Sequence, residues 1–122
     1  MFRFKDVFGL GEPFTFIHPY KQKAVKHLVD NRPSWVTSII IFGSAVGTWH
    51  FYEKDLDVCL IGKDPQCTET RDYIYQRAMK LPNVEYDFLI YDTLEDLLAS
   101  KDDIGSVQYH IHKEGVVVFA KD

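Results

Sequence analysis

Hydrophobic positions along the chain switch between helical and strand spacing, and each switch falls near a Pro, Gly or Asn. Ala24, Val25, Leu28 and Val29 make one stripe, with Pro19 at a first helical position and Asn31, Arg32 and Pro33 at the end, so the spacing predicts a helix over residues 19–31. Residues 36–42 form a β-branched apolar run, the pattern of a strand covered on both faces, and Gly43 ends it in a turn. Residues 55–61 alternate around Leu56, Val58 and Leu60 and predict a second strand, closed by residues 62–65. Thr68 is suited to cap a helix whose inward side includes Ile74, Ala78 and Leu81, with a turn at Pro82 and Asn83. A third strand follows over residues 84–91, then a short helix through Leu97 and Leu98 with Asp92 and Glu95 as its capping-box pair. Ser106 opens another short helix that stops at Gly115, before a terminal strand over residues 116–119. The expected architecture is α/β (α+β), with one mixed sheet packed by helices. Phe2 and Phe4 suggest an arm or edge strand over residues 1–14, ahead of a domain over residues 15–122.

Length and composition narrow the field. A chain of 122 residues that is 46% hydrophobic can bury one core but not two. Its net charge of -4, from 18 acidic and 14 basic side chains, offers no general attraction to nucleic acid or an anionic membrane. Cys59 and Cys67 are the only cysteines and lack CxxC spacing, which disfavours a disulfide scaffold or a sulfur-ligated zinc site. With no long apolar run and with Arg3, Lys5 and Asp6 near the start, the expected location is the cytoplasm.

Candidate chemistry lies in residues 41–61. Side chains two apart on a strand share a face, so Asp55 and Asp57 project together while Leu56 and Val58 enter the opposite side. Paired carboxylates repel unless a cation compensates them, and Mg²⁺ takes such hard oxygen ligands while keeping water and phosphate. The plain alternative is a solvated strand end. Asp87 interrupts an apolar strand, and a sheet that sets it beside Asp55 and Asp57 makes a three-carboxylate site in which Asp87 ligates metal or accepts a hydroxyl proton. Glu85 shares its face as a rival, and both acids equally fit the solvent side of an edge strand. Gly43 permits close backbone approach, and Ser44 can offer a hydroxyl and an N–H to phosphate. Gly47 and Thr48 either extend that grip or serve only the turn. Lys63 either neutralises phosphate or marks a charged turn, and HxH spacing at His110 and His112 on a helix does not suit zinc.

Gly43, Ser44, Asp55 and Asp57 together read G-S-x10-D-x-D, and with Asp87 the chain resembles the minimal nucleotidyltransferase family, a branch of the DNA polymerase beta-like nucleotidyltransferases. The resemblance runs from the first long helix through Asp87 and on to residues 113–119. It implies a nucleotidyltransferase fold in which the Gly-Ser turn holds the phosphates of ATP or another NTP, Asp55 and Asp57 bind Mg²⁺, and Asp87 completes the site. It also implies transfer of AMP or another NMP to a hydroxyl of a partner protein. Relatives are often antitoxins paired with HEPN-domain ribonuclease toxins, so the expected partner is such a toxin, in a hetero-oligomer or beside a homodimer. Many relatives carry Arg soon after the Gly-Ser pair, where this chain has Ala45 and Val46, then Trp49, His50, Phe51 and Tyr52. Two other readings stay open: a non-catalytic antitoxin or interaction module that acts by surface binding, and transfer to a small hydroxylated compound such as an aminoglycoside.

Overall fold

The computed structural model describes residues 19–43, 55–63, 78–82 and 84–121. The expected arm over residues 1–14, the turn residues Ser44, Gly47 and Thr48, the aromatic run over residues 49–52, Cys67 and the Thr68 cap lie outside them.

Helix α1 (Pro19–Asp30) ends where its last carbonyls find side-chain donors. Asn31 donates from its backbone N–H and from Nδ2 to the His27 carbonyl, at 3.0 and 2.9 Å, and Arg32 donates to the Val29 carbonyl at 2.6 Å. These bonds satisfy acceptors that a helix end leaves open, and Pro33 has no N–H with which to continue. Strands β1 (Val36–Phe42) and β2 (Asp55–Gly62) follow, then β3 (Glu85–Tyr91), α2 (Leu94–Leu98), α3 (Val107–Glu114) and β4 (Val116–Ala120). The strands form one mixed sheet in the order β3-β2-β1-β4. Here β1 is antiparallel to both β2 and β4, whereas β2 runs parallel to β3.

A parallel pair needs a crossover connection, and the chain between β2 and β3 supplies it. Met79 from that connection is fully buried in the same cluster as α1, which sets the crossover's end on the α1 side of the sheet. Strand periodicity divides the core in two. Ile39, Ile41, Leu56, Val58 and Leu60 face α1, where Ala24, Val25 and Leu28 cover them. Ile40, Phe42, Cys59 and Ile61 face the other way, against Leu97 of α2 and Ile111 of α3. The expected two-sided burial of β1 holds at every position but Thr37.

Two local expectations need correction. The capping box of α2 is Thr93 with Asp96, not Asp92 with Glu95: the Thr93 hydroxyl accepts from the Asp96 N–H, and the Asp96 carboxylate accepts from the Thr93 N–H, both at 3.2 Å. Thr93 has the extended backbone an N-cap requires (φ -134°, ψ 160°), and the helix begins only at Leu94. Ala78 is exposed, and its neighbour Met79 takes the inward position. Helix α3 opens on Ser106, whose hydroxyl accepts from the Tyr109 N–H, and stops at Gly115 as expected, where an extended backbone (φ -66°) leads directly into β4. Among the described residues no helix is long and apolar enough to cross a membrane.

Cys59 lies at the centre of the second layer with no exposed surface. Burial pushes its thiol up from 9.0 to about 12. The folded chain therefore holds a proton that the unfolded chain releases between those values, so this contribution to stability is whole below pH 9 and is lost as pH rises toward 12. A Cys67→Ser variant should leave Cys59 inert to a thiol-specific reagent at pH 8 until denaturant unfolds it. Adding Cys59→Ala should flatten the fall in denaturation midpoint between pH 9 and the highest pH at which unfolding stays reversible; an unchanged slope would contradict the assignment.

Candidate functional site

Three strands converge on one end of the second layer. In the antiparallel pairing of β1 with β2, Phe42 lies opposite Asp57. In the parallel pairing of β2 with β3, Asp57 lies beside Asp87, and Asp55 beside Glu85. Residues paired in this way share a face and sit about 4.8 Å apart between strands. That face is the one carrying Cys59 and Leu89, the next same-side residues along each strand, where the apolar layer under α2 and α3 begins. Asp57 is half-buried and Asp87 exposed, just past the edge of that layer. For Asp55 only the strand position is described.

Gly43 closes the site from the β1 side. It has φ +72°, in the left-handed region, so β1 turns sharply there. A Cβ built on Gly43 would overlap Asp57 Oδ2 and lie 3.1 Å from Asp57 Cγ. The Asp57 carboxylate therefore rests on the Gly43 backbone, which brings turn and carboxylate together. Phe42, only 8% exposed, supplies an apolar neighbour on the same face.

Glu85, the rival of Asp87, is exposed and pairs with Asp55, one step farther along. Among the described strands β3 is an edge, so Asp87 combines two features set against each other in the sequence: it faces solvent from that edge and it adjoins Asp57. Among the described residues no group of three or more His, Cys, Asp or Glu is gathered tightly enough to hold a metal ion. The donor set in view is one pair of carboxylates. Such a pair suits Mg²⁺, which takes one or two carboxylates and fills its other positions with water and phosphate.

Lys63 does not belong to this site. It follows Gly62 at the far end of β2, about 20 Å from Asp57 at the rise of a strand, which leaves the charged-turn reading. His110 is exposed on α3 and two residues from His112, so the pair diverges around the helix as the spacing implies. A cleft of about 610 Å³ also lies at the end remote from the carboxylates, lined by Arg32, Ser34, Val36, Phe119 and Lys121 among others. Its Arg32 guanidinium stands 3.9 Å from the centre of the Phe119 ring, a packed contact in a cleft that Asp30 also lines.

Residues 21–114 match the model of the nucleotidyltransferase domain, a span that runs from α1 to the end of α3 and includes Gly43, Asp55, Asp57 and Asp87. The chain belongs to the nucleotidyltransferase domain family. Comparison with curated proteins found no match. Membership accords with the mixed sheet packed by helices and gives this nucleotidyltransferase domain enzymatic potential.

Two structural features escaped the sequence, one on α1 away from the carboxylates and one at the site. Lys21 is 5% exposed, a buried cation on the inward side of α1. Its signal was available, since it precedes Ala24, Val25 and Leu28 on the same helical stripe. The contact between Gly43 and Asp57 had no comparable signal, because it depends on how β2 returns beside β1.

Adjacent carboxylates at this spacing repel by roughly 1 kcal/mol in water-like surroundings, and by more where water is thinned. Without divalent cation, Asp87→Asn should therefore unfold at a slightly higher denaturant concentration than wild type, by up to about 1 kcal/mol. Millimolar Mg²⁺ should raise the wild-type midpoint and leave the variant nearly unmoved. Equal responses would separate Asp87 from the cation site.

Proposed function

We propose that the protein is a Mg²⁺-dependent nucleotidyltransferase that moves AMP, or another NMP, from an NTP to a hydroxyl of a partner protein. The adjacency of Asp57 and Asp87 beside the Gly43 turn is the observation that supports this reading. Asp55 and Asp57 hold the metal, with Asp87 as a further ligand or as the base. When bound, Mg²⁺ supplies a Lewis acid for the α-phosphate and offsets charge developing there.

The remaining work falls to the chain. Gly43 lets the triphosphate approach the backbone, and Ser44 donates its hydroxyl and N–H to phosphate oxygens, with Gly47 and Thr48 as further phosphate-binding residues. The acceptor hydroxyl oxygen bonds to the α-phosphorus as its proton passes to the Asp87 carboxylate. The bond between the α-phosphorus and the α,β-bridging oxygen breaks, and pyrophosphate leaves. Asp87 suits the proton's route because it lies on the exposed edge of the sheet, where a hydroxyl from another molecule can reach it. The family resemblance points to a HEPN-domain toxin as that molecule and to an antitoxin role for this chain.

Ala45 and Val46, standing where many relatives have Arg, favour one other reading: neutralisation of the toxin by binding alone. One experiment separates the two. Purified protein, candidate partner, Mg²⁺ and labelled ATP should place label on the partner, located by mass, and Asp57→Asn should lower the rate about a hundredfold or more. Transfer unaffected by that substitution would remove Asp57 from the mechanism. Neutralisation without transfer by wild type, and preserved in Asp57→Asn, would select binding.

A further inference from the structure

Gly43 has a second property beyond the freedom to turn. The space its missing Cβ would fill is taken by the Asp57 carboxylate, with Asp57 Cγ 3.1 Å and Asp57 Cβ 3.4 Å from the Cβ position. Only the closest of these atoms, Oδ2, lies at the free end of a side chain, and moving it means rotating the carboxylate itself. That rotation would take the carboxylate from its present place. Asp57 lies between the β1 end and Asp87 of β3, with Phe42 opposite it and the buried Cys59 next along its own face.

We infer that Gly43 is a positioning residue for Asp57: the lack of a side chain at the end of β1 creates the seat that aims the Asp57 carboxylate alongside Asp87. This rests on the reading of Asp57 as a metal-holding carboxylate, and it gives Gly43 a task distinct from contacting phosphate. Any side chain at Gly43 turns the carboxylate away, and the cation loses an oxygen even where the turn keeps its shape. The glycine and the aspartate therefore act as one unit, joined through a packing contact.

A double-mutant cycle tests this, because positive-φ strain at residue 43 is common to both backgrounds and cancels. Gly43→Ala is made in wild type and in Asp57→Ala, where the seat is empty. Folding equilibrium constants come from denaturant titration, and Mn²⁺ affinity from electron paramagnetic resonance with a non-hydrolysable ATP analogue present. Gly43→Ala should lower the folding constant at least tenfold more beside native Asp57 than in the Asp57→Ala background, and should weaken Mn²⁺ binding about tenfold or more. If Gly43→Ala alone fails to fold and the double variant folds, the same conclusion stands. Equal losses in the two backgrounds, including loss of the fold in both, would overturn the seat. Undiminished Mn²⁺ affinity in a folded Gly43→Ala protein would overturn the positioning role. Absence of Mn²⁺ binding by wild type, with the stability coupling intact, would instead reject the metal reading and leave the packing contact in place.

Discussion

Core and site both depend on the register of β2 between β1 and β3. With Asp57 opposite Phe42 and beside Asp87, Leu56, Val58 and Leu60 enter the α1 layer while Cys59 and Ile61 enter the layer under α2 and α3. A slip of one residue would reverse every side chain, carrying Asp57 toward the α1 layer and withdrawing three aliphatic residues from it. Each such residue contributes about 1.5–3 kcal/mol by burial, and a carboxylate forced into an apolar layer without a partner costs several more. The residues that hold the sheet in place thus hold the carboxylates in place.

Much of this fold was legible because periodicity and punctuation agree. The stripe in α1 ends at Pro33, the apolar run of β1 ends at Gly43, and Ser106 and Gly115 bracket α3. Where two similar signals compete within a residue of each other, the linear pattern loses resolution. Asp92 with Glu95 and Thr93 with Asp96 both have capping spacing, and only the backbone at Thr93 decides between them. Ala78 and Met79 adjoin in the same way, and the larger apolar side chain takes the interior. Site residues were readable as residue types, and the expected placement of Asp87 beside Asp57 holds in the register. Asp57 and Asp87 lie thirty positions apart, and neighbouring strands bring them together only through a parallel crossover.

The edge position of β3 explains why family and acceptor are unequally legible. Gly43 and the strand-borne carboxylates Asp55, Asp57 and Asp87 lie within the span matched to the family. The acceptor meets the opposite boundary. Asp87 is the outermost carboxylate of the pair among the described strands and faces solvent, so in the proposed reaction the molecule presenting a hydroxyl there would bring its own recognition surface. On the proposed function, acceptor choice would be written across two molecules, of which this chain is one.

A chain with a net charge of -4 sets two carboxylates on neighbouring strands, where like charges repel. The arrangement is tolerable because the opposing term is small and local, roughly 1 kcal/mol at a solvated strand end, while β1 is buried on both faces over nearly its whole length. The core stops one residue pair short of the acids, at Cys59 and Leu89. Moving the pair inward by two positions would bury both charges, and moving it outward would lose the support of Phe42 and Gly43. The boundary between the apolar layer and solvent is where two carboxylates can be held firmly and still be reached by a hydrated cation.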